Sequence, residues 1–250
     1  LLPARAGGDP LVRVELAGSA RRRADTVKDL DVIATATDPV ALTEAFAALD
    51  LVESASHTSE RGARGRLHIG LDVDLKIVAP DQFGNLLQHF TGSKEHNMAL
   101  RAKAVRRGLH ISEYGILDDA TGTTHRCATE EEVYALLGLP YIEPELRENR
   151  GELEPGFEPP TLVDLADIRG DLHCHTVASD GRGTIEEMAH AALERGYEYL
   201  VITDHSATHG FGDDVQPDEL RRQIERVREA DAAIDGIAVR IGTETNILPD

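Results

Sequence analysis

The sequence predicts two α/β units in one chain: an N-terminal α+β unit built on a mixed sheet, then a C-terminal unit of β-α-β-α-β rhythm. Three observations carry this reading. Acidic and apolar residues alternate at Asp29-Leu30-Asp31-Val32 and again from Leu67 to Val78, the period of two that marks half-buried strands. Between Tyr141 and Asp167, Pro144, Pro155, Pro159 and Pro160 lie among Glu145, Glu148, Glu152, Glu154 and Glu158, a stiff, charged stretch of the kind that separates domains. After Gly170, three apolar strands each end on His, Asp or Glu, with helical segments between them.

Composition bounds the class. The chain has 250 residues, 41% hydrophobic and 28% charged, ordinary values for a globular protein. No apolar run approaches the roughly 18 residues of a membrane span, and no secretory signal opens the chain. Cys127 and Cys174 make no metal-knuckle spacing, so a reduced, cytoplasmic setting is expected. Net charge is −19, which weighs against a nucleic-acid partner. Its distribution matters more. Residues 1–146 carry 16 Lys and Arg against 22 Asp and Glu, whereas residues 147–250 carry 10 against 23. From Ser93 to Arg107 there are five basic residues and one acid, a local stripe that can meet phosphates on an acidic protein.

Taken in order, Val12 to Leu16 is a strand feeding a tight turn at Gly18-Ser19, with Arg21, Arg22 and Arg23 directly after. Nothing before it completes a domain, so the chain is expected to begin inside one. A second strand holds Asp29 and Asp31 among Val27, Leu30, Val32 and Ile33. Asp38 caps a helix from Pro39 to Leu49. Leu67 to Val78 is a strand with Leu71, Val73, Leu75 and Ile77 on one side and Asp72, Asp74 and Lys76 on the other. A helix from Pro80 to Phe90 breaks at Thr91-Gly92. A second runs from a Ser93 cap to Arg107, stopped by Gly108, with Met98, Ala102 and Val105 as its apolar stripe and Lys94, Asn97 and Arg101 as its polar one. Leu109 to Cys127 is a small hairpin about the turn at 118–122, and Glu130 to Leu137 is a short helix. In the second unit, His173 and His175 share one face of a strand and Asp180 follows in a Ser-Asp-Gly turn. Thr184 and Glu187 form a capping box for a helix to Arg195. Tyr199 to Thr203 is a strand ending on Asp204-His205, Pro217 to Ile234 a helix, and Ala238 to Gly242 a strand ending before Glu244.

Two carboxylates side by side on a strand are costly unless a cation neutralises them, and a divalent metal with oxygen ligands is the usual solution. With a Gly-Ser turn able to aim backbone N–H groups at an anion, Asp29 and Asp31 suggest nucleoside-triphosphate handling; the bland alternative is a solvated surface strand. A third carboxylate on a neighbouring strand would complete a two-metal site. Asp74 is the candidate and Asp72 its competitor. In the second unit, three strands delivering His, Asp or Glu at their C-terminal ends argue for a metal site there.

The Gly-Ser turn followed by Asp-x-Asp resembles the nucleotidyltransferase signature. The order Gly18-Ser19-Ala20-Arg21-Arg22, Asp29-Leu30-Asp31, Val73-Asp74-Leu75-Lys76, Phe90-Thr91-Gly92-Ser93, Asn97, Arg101 and Glu113-Tyr114 resembles the palm and thumb of X-family DNA polymerases, over about residues 11–145. The resemblance implies that Asp29, Asp31 and Asp74 bind two Mg²⁺ or Mn²⁺ ions and are catalytic. It implies that Gly18, Ser19, Arg22, Phe90, Thr91, Gly92 and Asn97 hold the nucleotide, and that Lys94 and Arg101 meet DNA. His89 stands where the family usually has Tyr, at a position that shapes sugar discrimination. The family's helical domain for a gap's 5′ end has no counterpart in the chain.

The second unit is similar to the PHP domain (polymerase and histidinol phosphatase), a (βα)7 barrel with a trinuclear metal centre. That similarity implies Mn²⁺ or Zn²⁺ ligands at His173, His175, Asp180, His205 and Glu244, with Asp204 behind them. It covers residues 169–250, the first third of such a domain, so an incomplete centre is expected. The fold expected is therefore a palm over 1–80, a thumb over 81–146, a linker over 147–168 and the first βαβαβ part of a PHP barrel over 169–250. The combination implies gap-filling DNA synthesis from deoxynucleoside triphosphates on gapped or primer–template duplex, with a 3′–5′ exonuclease, by a cytoplasmic monomer with no membrane association. The rival readings are a nucleotidyltransferase acting on a small molecule or protein beside a PHP phosphoesterase, and a non-catalytic scaffold.

Overall fold

The computed structural model describes residues 11–206 and 216–247. It divides into two compact units, one up to Pro160 and one from Thr161. The first is built on a five-stranded sheet of β1 (Leu11–Leu16), β2 (Asp29–Ala36), β3 (Val52–Ser59), β4 (Gly62–Leu67) and β5 (Asp72–Ile77), in the order β1-β2-β5-β4-β3. Only β2 and β5 pair in parallel; the other neighbours are antiparallel. Alternation gives the sheet two apolar faces. Ala34, Val73, Leu75, Ala63 and Leu67 pack on Leu42 and Phe46 of α2 (Pro39–Ala47). Asp38 caps that helix, accepting from the Ala41 N–H at 3.0 Å. On the opposite face Ile33 packs against Phe83, Leu86 and Leu87 of α3 (Phe83–Thr91).

Beyond the sheet, α4 (Lys94–Val105), a meander of β6 (Leu109–Ser112), β7 (Gly115–Asp118) and β8 (Thr124–His125), and α5 (Glu130–Leu136) enclose a separate core of Leu100, Ile116, Val133 and Tyr134. Helix α3 joins the two. Its Gly84 lies so close to α5's N-terminal cap that an added Cβ would stand 2.1 Å from the Thr129 carbonyl oxygen.

Several sequence expectations are corrected here. The Gly18-Ser19 turn is the start of a four-residue helix, α1 (Gly18–Arg21). The strand expected from Leu67 to Val78 is β5 alone, preceded by a turn that follows the last residue of β4, and β3 and β4 were not foreseen. Their sequences, Val-Glu-Ser-Ala-Ser-His-Thr-Ser and Gly-Ala-Arg-Gly-Arg-Leu, are polar because one face of this sheet edge is open. The hairpin expected after Gly108 has three strands. Helix α4 buries His96, Leu100 and Ala104, while Met98 and Val105 are exposed. A histidine holds the buried stripe because it has partners there: Glu152 Oε1 at 2.7 Å from Nδ1 and the Tyr134 hydroxyl at 2.9 Å from Nε2.

That contact also corrects the linker. Arg147, Glu152 and Leu153 are buried, and the chain through Phe157 packs on the α4–α5 core. The Glu residues that suggested a solvated spacer are partly structural: Glu152 accepts from the Asn149 and Arg150 N–H groups at 2.7 and 2.6 Å. Glu130, buried on α5, bridges Arg147 (Nη1 at 2.5 Å) and Arg21 of α1 (Nη2 at 2.6 Å). The second unit contains β9 (Gly170–Cys174), α6 (Ile185–Glu194), β10 (Tyr199–Ile202), α7 (Pro217–Ala233) and β11 (Ala238–Ile241). Its parallel sheet runs β11-β10-β9, with Ile185, Ala189, Leu200, Val227 and Val239 in its core. Among the described residues no helix is long and apolar enough to cross a membrane.

Two stability predictions follow from the buried polar groups. Burial holds the His96 imidazole below its ordinary range, so between that value and the unfolded value near 6.5 the unfolded chain binds a proton that the folded chain does not. Stability is therefore full above about pH 6.5 and lost as pH falls below it. Glu152, held below its ordinary carboxylate range despite its burial by the His96 hydrogen bond and backbone donors, extends the loss further into acid. Urea unfolding of His96→Gln should show a shallower decline between pH 7 and pH 5.5; an unchanged slope would remove His96 as its source. Glu130→Ala leaves Arg147 and Arg21 without their shared carboxylate and should cost about 3–5 kcal/mol in the same measurement, with Glu130→Gln costing less.

Candidate functional site

The parallel register of β2 and β5 sets Asp29 beside Asp72 and Asp31 beside Asp74. All four project from the face that carries Ile33 and α3, because Leu30, Val32, Val73 and Leu75 take the other. Helix α3 covers this face at Ile33 and leaves the N-terminal part of β2 and β5 open to solvent. Asp31 is half-buried, and burial, then Asp29, then Asp74, raise its carboxyl above the ordinary range. Gly18 is the reason the Asp31 carboxylate fits: its φ is +63°, and a Cβ there would lie 2.3 Å from Asp31 Oδ2. Asp74 lies 3.0 Å from Lys76 Nζ and 3.5 Å from Arg64 Nε. Its buried Oδ1 accepts no aligned hydrogen bond, so the Lys76 contact is one of charge alone. Asp72 turns outward and pairs with Arg66 at 2.7 Å. The structure thus sets Asp29, Asp31 and Asp74 on one face, with Asp29 and Asp74 near enough to raise the Asp31 carboxyl; oxygen donors of this kind are what a hard divalent cation takes.

Most of the polar residues expected around a nucleotide meet at the α3–α4 junction, and many hold one another. Arg22 donates from Nε to Glu148 at 2.8 Å and from Nη1 to the Thr91 carbonyl at 2.6 Å. Arg21 donates to Thr91 Oγ1 at 2.7 Å. Gly92, at φ +69°, passes close to the Arg22 guanidinium, and Ser93 caps α4 at the His96 N–H. Lys76 lies 5.7 Å from the centroid of the Phe90 ring. Asn97, expected at the nucleotide on the polar stripe of α4, is turned inward, donating to the His89 carbonyl at 2.7 Å and accepting from Gln88 at 2.8 Å. Arg101 is exposed and reaches His89 Nδ1 at 3.0 Å. Burial, with Arg101 adding to it, lowers the His89 pKa, so the neutral ring accepts that bond. Ser19 is half-buried on α1 and Lys94 is exposed at the start of α4.

Sequence reasoning missed Glu130, Arg147 and Glu148 as supports of this junction. Arg22 and Glu148 are 126 positions apart and Arg21 and Glu130 are 109; no local pattern connects them.

In the second unit, the parallel strands bring their C-terminal ends to one edge. Glu244 Oε2 lies 2.9 Å from His173 Nε2 and 3.0 Å from His175 Nε2, and those two ring nitrogens are 3.2 Å apart. His175 Nδ1 meets Asp180 Oδ1 at 2.6 Å, and His205 Nε2 lies 3.5 Å from Asp180 Oδ2. Two triads can each close on an ion, His173–His175–Glu244 and His175–Asp180–His205. Imidazoles and carboxylates aimed at shared points suit a divalent transition-metal ion. The His175 hydrogen bond lowers the Asp180 carboxyl and the His173 hydrogen bond lowers that of Glu244. Buried Asp204 stands behind them, accepting from the Thr176 N–H and hydroxyl at 2.7 and 2.8 Å, from Ser179 at 2.6 Å and from Gln223. It orients the loop that carries His175 and Asp180, as outer carboxylates commonly do.

Residues 86–148 match the DNA polymerase beta thumb family and residues 171–250 match the PHP domain family. The chain is 37% identical over 242 residues to the DNA polymerase/3′-5′ exonuclease PolX of Bacillus subtilis (strain 168), covering 96% of this chain and 42% of the relative. It is 31% identical over 163 residues to DNA polymerase lambda of Rattus norvegicus, covering 52% of this chain and 28% of that relative. It is 36% identical over 76 residues to DNA-directed DNA/RNA polymerase mu of Homo sapiens, covering 30% and 15%. The chain therefore spans less than half the length of these curated relatives. With a polymerase thumb ahead of a PHP domain, and nearly all of its length aligned to a relative that unites the two activities, the chain belongs to the X-family DNA polymerases that carry a PHP domain.

Proposed function

We propose that the first unit adds deoxynucleotides to a DNA 3′ end, as in gap filling during repair, and that the PHP unit contributes to a metal-dependent 3′–5′ exonuclease. The observation that carries this reading is the cluster of Asp29, Asp31 and Asp74 on one open sheet face beside the junction of Arg22, Thr91 and Gly92. On this reading residues 1–80 are the palm and 81–146 the thumb. Asp29, Asp31 and Asp74 hold two Mg²⁺ or Mn²⁺ ions, which when bound neutralise the transferring phosphoryl group and favour ionisation of the attacking hydroxyl. Gly18 leaves room for the Asp31 carboxylate, and Ser19 and Arg22 face the triphosphate. Phe90, Thr91 and Gly92 line the sugar, with Asn97 holding that segment through the His89 carbonyl. Lys94 and Arg101 meet the DNA. Lys76 and Arg64 offset the charge of Asp74 until a cation takes it.

In the PHP unit, His173, His175, Asp180, His205 and Glu244 hold Mn²⁺ or Zn²⁺, and Asp204 keeps the His175–Asp180 loop in place. The substrates are gapped or primer–template duplex and deoxynucleoside triphosphates, and the protein acts in the cytoplasm as a monomer. Transfer to a small molecule or protein is less well supported, because Arg101 lies exposed in a stretch, Ser93 to Arg107, that holds five Lys and Arg.

Primer extension on a gapped duplex tests the palm assignment. Asp74→Ala should lower incorporation by at least about 10³-fold with the unfolding midpoint unchanged, whereas Asp72→Ala should stay within about tenfold of the parent; the reverse order would move the site to Asp72. Metal content after dialysis tests the PHP assignment. His175 belongs to both triads, so His175→Ala should lower bound Mn²⁺ or Zn²⁺ more than His173→Ala does. Equal retention by the two variants would contradict the shared-ligand arrangement.

A further inference from the structure

The open sheet face does not end at the carboxylates. Across β5, Arg64 of β4 lies opposite Asp74 and Arg66 opposite Asp72. Across β4, Ser56 of β3 lies opposite Arg64 and Ser54 opposite Arg66. The two registers extend the β2–β5 pairing into two parallel rows: Asp31, Asp74, Arg64, Ser56 and Asp29, Asp72, Arg66, Ser54. Each row crosses four strands, a span of about 14–15 Å at the ordinary strand spacing. Ala63 and Leu67 take the opposite face of β4 into the α2 core, which turns both arginines to solvent. A cleft of about 390 Å³ runs along the rows from Asp29 to Ser54. A neighbouring hollow of about 310 Å³ adds His57, Arg61 and Lys76 around Arg64.

This surface changes from anionic to cationic within one strand spacing and then to hydroxyls. Its two guanidiniums stand two residues apart on one strand, about 6.8 Å along β4. In the structure they rest on carboxylates, Arg66 at 2.7 Å from Asp72 and Arg64 at 3.5 Å from Asp74. These are exposed contacts worth little, and a phosphodiester is a competing partner for a guanidinium.

We propose that Arg64 and Arg66 bind successive phosphodiesters of the DNA strand whose 3′ end is presented to Asp74, with Ser54 and Ser56 donating hydroxyls to the same backbone. This rests on the polymerase reading above and assigns the strand's path across β4 and β3. Because the donors meet phosphates and not base edges, the contact is independent of sequence.

The test is equilibrium binding of a labelled primer–template duplex, without nucleotide, over a salt series, for the parent, Arg64→Ala, Arg66→Ala, the double variant and Arg64→Lys. Each lost phosphate contact should reduce the log–log salt slope by about 0.9, with the double variant binding about tenfold or more weakly at low salt. Arg64→Lys should keep the slope. A primer with neutral methylphosphonate linkages next to its 3′ end should bind the parent as weakly as the double variant binds ordinary primer, and should weaken the double variant no further. Unchanged slopes, or additive losses with the neutral primer, overturn the assignment. A rise in nucleotide KM with unchanged duplex binding places the arginines on the triphosphate and overturns it equally. A parent that neither binds nor extends duplex overturns the polymerase reading too, whereas a parent that extends DNA no better than the double variant overturns this inference alone.

Discussion

The parallel pairing of β2 with β5 is the constraint on which the first unit depends. It is the one parallel contact in an otherwise antiparallel sheet, and it sets Asp31 beside Asp74. A slip of one residue would send these carboxylates into the α2 core and bring Val73 or Leu75 to the open face. The apolar residues between them therefore specify the site as firmly as the acids do. The cost of this arrangement is visible in Asp31, whose carboxyl is raised by burial and by its acidic neighbours. Lys76 and Arg64 moderate that repulsion from two sides of Asp74.

A second device holds the α3–α4 junction against the sheet. Glu130 is buried with Arg147 and reaches Arg21, while Arg22 reaches Glu148 and the Thr91 carbonyl. The arginines that follow Gly18-Ser19 are thus shared between the segment that faces the carboxylates and the helical subdomain beyond the sheet. Charged groups so deeply buried add little net stability but tolerate only their own partners, which suits a junction where position matters more than strength. The PHP unit uses the same logic. Asp204 gathers donors from Thr176, Ser179 and Gln223, so the loop with His175 and Asp180 is held from behind while the Asp180 carboxylate stays exposed.

By itself the sequence determined the elements whose local chemistry is complete. Alternation named β2 and β5 and put Asp29, Asp31 and Asp74 on one face; Asp38, Ser93 and Thr184 cap helices that begin where they do because each side chain takes up a free backbone N–H; and the His-x-His and later His and Glu stood at strand ends. Tertiary structure decided what depends on partners distant in the chain. His96 belongs to the core only because Glu152 and Tyr134 meet it there, and the acidic stretch after Tyr141 packs for the same reason. The polar strands β3 and β4 carry no apolar alternation on their open side, so only the sheet order shows that Arg64 and Arg66 lie across from the carboxylates. Side-chain periodicity reports which face a residue takes, and pairing across a hundred residues alone reports what that face meets.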